Sequence, residues 1–102
     1  MNSRMAKLTA AQIRAVLPTV PGWKQKGQAL TRTFEFQDFA RAVTFVNAVA
    51  RLAERAWHHP DISIRWNRVT LTLTTHDAGG LTEKDFVLAA KLCALVSPRA
   101  RR

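Results

Sequence analysis

Asp61-Ile62-Ser63-Ile64-Arg65-Trp66-Asn67-Arg68-Val69-Thr70-Leu71-Thr72-Leu73-Thr74 alternates apolar and polar residues through two runs. Ile62, Ile64 and Trp66 fall on one side of the first run, and Val69, Leu71 and Leu73 on one side of the second. A period of two is the signature of half-buried strands. Asn67-Arg68 reads as a two-residue loop, which pairs Trp66 with Val69 and makes the stretch a β-hairpin. In that register all six apolar residues share a face. His59 then lies opposite His76, and His58 opposite Asp77, with opposed Cβ atoms about 5 Å apart.

Working outward, helices flank the hairpin. Upstream, Asp38 is a candidate N-cap, and Phe39, Ala42, Val43, Val46, Val49, Ala50 and Ala53 form one broad helical stripe running to about Arg55. Pro60 prevents its smooth continuation. Downstream, Gly79-Gly80 breaks the chain, and Thr82 with Asp85 three residues later suits a helix start. That helix is predicted from Glu83 to about Val96, with Phe86, Ala89, Ala90, Cys93 and Val96 on its apolar stripe, and Pro98 stops it. Further upstream, Leu30, Phe34 and Phe36 alternate with Thr31, Thr33 and Glu35, with Arg32 as a lone charge on the apolar side. Gly27-Gln28 is a turn, Trp23 to Lys26 a short strand, and Thr9 with Gln12 a capping box opening a short helix that contains Ile13, Val16 and Leu17. The order helix, strand, strand, helix, strand, strand, helix predicts an α+β fold: an antiparallel sheet with the helices packed on one face.

The chain has 102 residues, room for one domain, with 47% hydrophobic and 23% charged residues, an ordinary globular balance. Its single cysteine, Cys93, excludes an internal disulfide and a cysteine-based zinc site, and its stripe position points to core packing. Sixteen Lys and Arg against seven Asp and Glu give a net charge of +9. Five of the basic residues, Arg4, Lys7, Arg99, Arg101 and Arg102, lie in expected flexible tails at 1–7 and 97–102. Basic tails make nucleic acid a weak expectation and a solvated surface the stronger one. No apolar run approaches the ~20 residues that span a bilayer, so no membrane partner is expected. The first residues lack a secretory h-region, and the cytoplasm is the expected compartment.

The chemistry gathers where the hairpin strands leave the sheet. All three histidines, His58, His59 and His76, lie there, with Asp77 and the helix-end carboxylate Glu54 within reach. Histidine moves protons near neutral pH, and a carboxylate orients an imidazole or stabilises its charged form. Trp57 beside them is a candidate wall. Three histidines also suit zinc with an open position, but adjacent His58 and His59 on an extended chain point to opposite sides, which disfavours shared coordination. No metal is assigned. No glycine-rich phosphate loop is present, because Gly79-Gly80 alone is a turn signal.

Glu54-Arg55-Ala56-Trp57-His58-His59-Pro60-Asp61, with Trp66-Asn67-Arg68-Val69 and Thr74-Thr75-His76-Asp77-Ala78-Gly79-Gly80-Leu81-Thr82, resembles the pterin-4a-carbinolamine dehydratase family. The resemblance runs from about Leu8 to Val96 and includes Gly22-Trp23, Phe34-Glu35-Phe36 and Asp38-Phe39. It implies a four-stranded antiparallel sheet with three helices. It also implies dehydration of 4a-hydroxytetrahydropterins to quinonoid dihydropterins, which regenerates the cofactor of aromatic amino acid hydroxylases. No metal or organic cofactor is implied. The family's histidines carry over to His58, His59 and His76, and its helix-end acid to Glu54. Its pterin-contacting segments carry over to His58-His59-Pro60 and Thr75-His76-Asp77-Ala78. In the expected division of labour His59 and His76 act on the reacting centre and His58 assists. The family further implies a homodimer or homotetramer. Two positions depart from its pattern: Trp57 stands where Asp or Asn is common, and Trp66 where Tyr is common. Some animal members serve as dimerisation cofactors of a transcription factor, so a protein-interaction module without dehydratase activity is the alternative.

Overall fold

The computed structural model describes residues 6–96. The terminal parts of the expected tails, 1–5 and 97–102, lie outside the described residues. The elements follow the order read from the sequence: α1 (Ala10–Val16), β1 (Lys24–Lys26), β2 (Ala29–Glu35), α2 (Phe39–Ala56), β3 (Asp61–Arg65), β4 (Arg68–Leu73) and α3 (Glu83–Ala94). The strands form one antiparallel sheet in the order β1-β2-β4-β3. Both capping boxes are present, Thr9 with Gln12 and Thr82 with Asp85, and the Asp38 carboxylate accepts from the Arg41 amide.

The two central strands carry the core. Leu30 and Phe34 of β2 and Val69, Leu71 and Leu73 of β4 are buried beneath Ala42, Phe45 and Val49 of α2 and Phe86, Ala89 and Leu92 of α3. Phe45 packs between Phe34 and Phe36, with ring centroids 4.7 and 4.9 Å away. The opposite face is polar. Thr31 meets Thr72 and Thr33 meets Thr70 across β2 and β4, with Oγ atoms 3.5 and 2.8 Å apart. Arg32, the charge on the apolar side, lies with its guanidinium 4.3 Å from the Phe34 ring centroid and donates to the Pro21 carbonyl. It covers the core with its stem while keeping its donors satisfied.

Three expectations need correction. The hairpin turns at Trp66-Asn67, so Arg65 pairs with Arg68 and Ile64 with Val69. Asn67 decides this. It is buried, its side-chain amide donates to the Phe36 carbonyl at 2.8 Å, and its own carbonyl accepts from the Phe36 amide at 2.9 Å. The turn is therefore tied to the end of β2, and Trp66 takes up the left-handed φ of 52° that closes it. The shift is by two residues, so the faces survive while the pairing does not. Extending the ladder beyond Asp61–Thr72 sets His59 opposite Thr74 and His58 opposite Thr75, not His76 and Asp77.

The helix stripes also differ in detail. On α2, Phe39 and Ala50 are exposed, and Phe45, absent from the expected stripe, is buried. On α3, which ends at Ala94, Ala90 is exposed and Leu88 and Leu92 are buried. Ala42, Val49 and Ala53 of α2 and Phe86 and Ala89 of α3 are buried as expected, and the large side chains Phe45, Leu88 and Leu92 turn the packed face toward themselves. Phe45→Ala should cost about 3–5 kcal/mol of unfolding free energy, read from urea denaturation, because it removes the ring that joins α2 to β2.

Candidate functional site

The chain reverses sharply after α2. Trp57 adopts φ 52° and ψ 39°, the left-handed conformation, and the His58 amide donates back to the Ala53 carbonyl at 3.2 Å. That reversal sends the two following histidines to different places. His58 turns inward and is only 8% exposed, with Nε2 2.6 Å from Asp85 Oδ1. His59 stays in solvent, with Nε2 2.7 Å from Oε2 of Glu54. A carboxylate oxygen accepts, so the tautomer with N–H at Nε2 is the one that suits each contact.

His76 arrives from the other side. After β4 the chain makes one 3-10 turn, His76–Ala78, closed by Gly79 at φ 77°. Thr75 and Gly80 bridge its base through two backbone hydrogen bonds of 3.1 and 3.3 Å. A Cβ at Gly80 would stand 2.6 Å from Gln28 Oε1, so a side chain there would displace the end of the Gln28 side chain. The loop is thus clamped at its foot and exposed at its tip, where His76 and Asp77 sit.

These segments enclose an open pocket of about 280 Å³, near the lower end of small-molecule sites, ~300–1,000 Å³. All three histidines line it, with Trp57, Thr74, Thr75, Asp77 and Lys84. Of the residues singled out in the sequence, Glu54 reaches the pocket only through His59, and Pro60 and Ala78 are not among those lining it. The three histidines come together although the expected pairing of His59 with His76 is absent. Cys93 lies away from them, half-buried, with Sγ 3.4 Å from an Arg32 nitrogen. Among the described residues no group of three or more His, Cys, Asp or Glu side chains is arranged to hold a metal ion.

Two residues were missed. Lys84 enters the pocket from the first turn of α3. Asp85 is fully buried, and its two oxygens serve three segments. Oδ2 accepts from the Thr82 amide at 2.9 Å and from the Thr75 hydroxyl at 2.8 Å, and Oδ1 faces His58. The sequence held a signal for it. Asp85 precedes Ala89 by four and Leu92 by seven residues, which puts a carboxylate on the buried stripe of α3. A buried carboxylate requires partners.

Residues 6–95 match the family model described as Pterin 4 alpha carbinolamine dehydratase. The chain belongs to this family. A relative from Thermomicrobium roseum, named "Putative pterin-4-alpha-carbinolamine dehydratase", is 57% identical over 93 residues, 91% of this chain and 100% of that one. A relative of the same name from Acidobacterium capsulatum is 55% identical over 92 residues, 90% and 100% of the two chains. The crystal structure of a transcriptional coactivator/pterin dehydratase from Brucella melitensis superposes with a TM-score of 0.85 at 36% identity, covering 89% of this chain and 99% of that one. A pterin dehydratase-like protein identified as a RuBisCO assembly factor in the alpha-carboxysome gives 0.65 at 28% identity, covering 78% and 94%. The proteins this chain resembles thus include ones named for an enzymatic activity and one named for an assembly role.

Asp85→Ala would leave the Thr82 amide, the Thr75 hydroxyl and the His58 ring without their acceptor. Each orphaned buried donor costs about 1–3 kcal/mol. Urea denaturation of the variant should show a loss of at least about 3 kcal/mol, and Asp85→Asn, which keeps one acceptor oxygen, a smaller one.

Proposed function

We propose that this chain dehydrates 4a-hydroxytetrahydropterins to quinonoid dihydropterins by histidine acid–base chemistry. The observation that carries the reading is the convergence of His58, His59 and His76 on one pocket in three different settings: buried on a carboxylate, exposed on a carboxylate, and at the tip of a clamped loop. The substrate carries a hydroxyl and a ring nitrogen on one carbon. Water leaves when a proton reaches the hydroxyl and the nitrogen gives up its own, so that the C–N bond becomes a double bond. One group must donate while another accepts, and neighbouring imidazoles in opposite protonation states do both.

His59 and His76 are the acid–base pair in this reading, and His58 assists. Glu54 orients His59 through its 2.7 Å contact, and Asp85 does the same for His58 at 2.6 Å. The Asp77 carboxylate, together with the chain from Thr75 to Ala78, takes the amino–amide edge of the pterin, which offers donors to an acceptor-only group. Pro60 fixes the chain leaving His59. The substrate is the oxidised cofactor of an aromatic amino acid hydroxylase, which makes this a recycling step in the cytoplasm, with no metal or organic cofactor assigned.

Self-association belongs to the same reading. Among the described residues no strand pairs with the outer edge of β3, and Ile62 and Ile64 on it are 40% and 38% exposed. The strand Asp61-Ile62-Ser63-Ile64-Arg65 is self-complementary. Two copies paired antiparallel about Ser63 set each Asp61 opposite Arg65 of the other copy and each Ile62 opposite Ile64. Opposed charges favour such pairing and an open edge invites it. The competing reading, an interaction module without catalysis, draws on the same bare edge and on the solved relatives described as a coactivator and an assembly factor.

Dehydration of enzymatically generated 4a-hydroxytetrahydropterin, followed by ultraviolet absorbance, separates them. Wild type should accelerate it, and His59→Ala and His76→Ala should each lose about 10²–10⁴-fold in turnover with unchanged circular dichroism. Near-normal turnover in both variants rejects the histidine assignment, and no acceleration by folded wild type favours the interaction module. In sedimentation, Arg65→Asp should weaken the dimer and the added change Asp61→Arg should restore it. A dimer indifferent to both rules out the β3 edge.

A further inference from the structure

Resting on the pterin reading above, we propose that Trp57 is the stacking face of the site, an aromatic platform held at the pocket mouth at the expense of backbone strain. The backbone at position 57 must be left-handed, because that reversal is what turns His58 inward onto Asp85. The side chain at position 57 need not be aromatic to achieve it. Gly does so without strain, and Asn and Asp tolerate this region, whereas a bulky residue there is disfavoured. Here a tryptophan bears the strain instead.

The indole contributes little to the fold. It is 84% exposed, the most of any large hydrophobic side chain among the described residues. A side chain that keeps its area in water adds little burial free energy. Yet Trp57 lines the same pocket as His58, His59 and His76. A strained, exposed indole beside an acid–base cluster is accounted for by a flat partner. A pterin is a planar bicycle whose faces suit offset stacking, and whose edge is left for Asp77 and the histidines. Stacking also shields one face of the reacting ring from water, which strengthens the polar contacts on the other. The residue then acts on binding and on the choice of planar substrates, with no part in proton transfer.

Two variants and one probe test this. Trp57→Asn should raise the melting temperature by about 4–8 °C, as the strain is relieved. It should also raise KM for the carbinolamine about 2- to 10-fold with a smaller effect on kcat. Trp57→Phe should retain most of the affinity. Titration with 7,8-dihydrobiopterin, a stable planar analogue, should quench wild-type tryptophan fluorescence more than that of Trp57→Phe, which separates Trp57 from Trp23 and Trp66. Unchanged KM and unchanged quenching in Trp57→Asn overturn the proposal, and so does a loss of sedimenting mass with KM unaltered, which would mark Trp57 as an interface residue. Wild type that is quenched at Trp57 without turnover leaves the platform standing and removes the dehydratase reading. Normal wild-type turnover with an indifferent Trp57→Asn does the reverse.

Discussion

The Asp85 carboxylate sits where three segments meet: the start of α3, the loop after β4 and the chain leaving α2. The first two are consecutive, and the third lies more than fifteen residues before them in sequence. One fully buried group accepts from the N-cap amide of α3, from Thr75 at the foot of the His76 loop, and faces His58. Removing a carboxylate from water is expensive, and the cost is offset only if its oxygens are occupied. The occupants are the groups that position two of the three histidines. The placement of His58 and of the foot of the His76 loop is therefore tied to one buried carboxylate.

The same constraint makes neighbouring histidines unequal. His58 and His59 are consecutive, yet the left-handed turn at Trp57 gives one a dry carboxylate and the other a solvated one. A carboxylate interacts more strongly with an imidazole in a low-dielectric setting than in water. Two like residues on one short segment thus acquire different chemistry from their surroundings.

The sheet has an asymmetry of its own. β4 lies between two partners and its apolar residues are wholly buried, whereas β3, with the same alternating pattern, lies at the edge and leaves Ile62 and Ile64 half in solvent. Alternation announces a strand in either place. It carries no information on how many neighbours the strand has, because order in the sheet depends on how the connections cross. The central place of β4 comes from its pairing with β2 across the polar threonine pairs and the buried aromatic layer.

The element order, both capping boxes, the hairpin and the cluster of His58, His59 and His76 were legible in the residues, since each depends on local periodicity or on a motif within a few positions. The turn position, the partner of His58 and the burial of Asp85 were not. Asn67 fixes the turn by bonding to Phe36, thirty-one residues away, and Asp85 reaches His58 across twenty-seven. Sequence by itself determined which segments become helices and strands and which chemistry they carry, because backbone propensity and hydrophobic period act over short distances. Tertiary structure alone decided the register and the pairing of charges, because a buried polar group takes whichever partner packing brings to it.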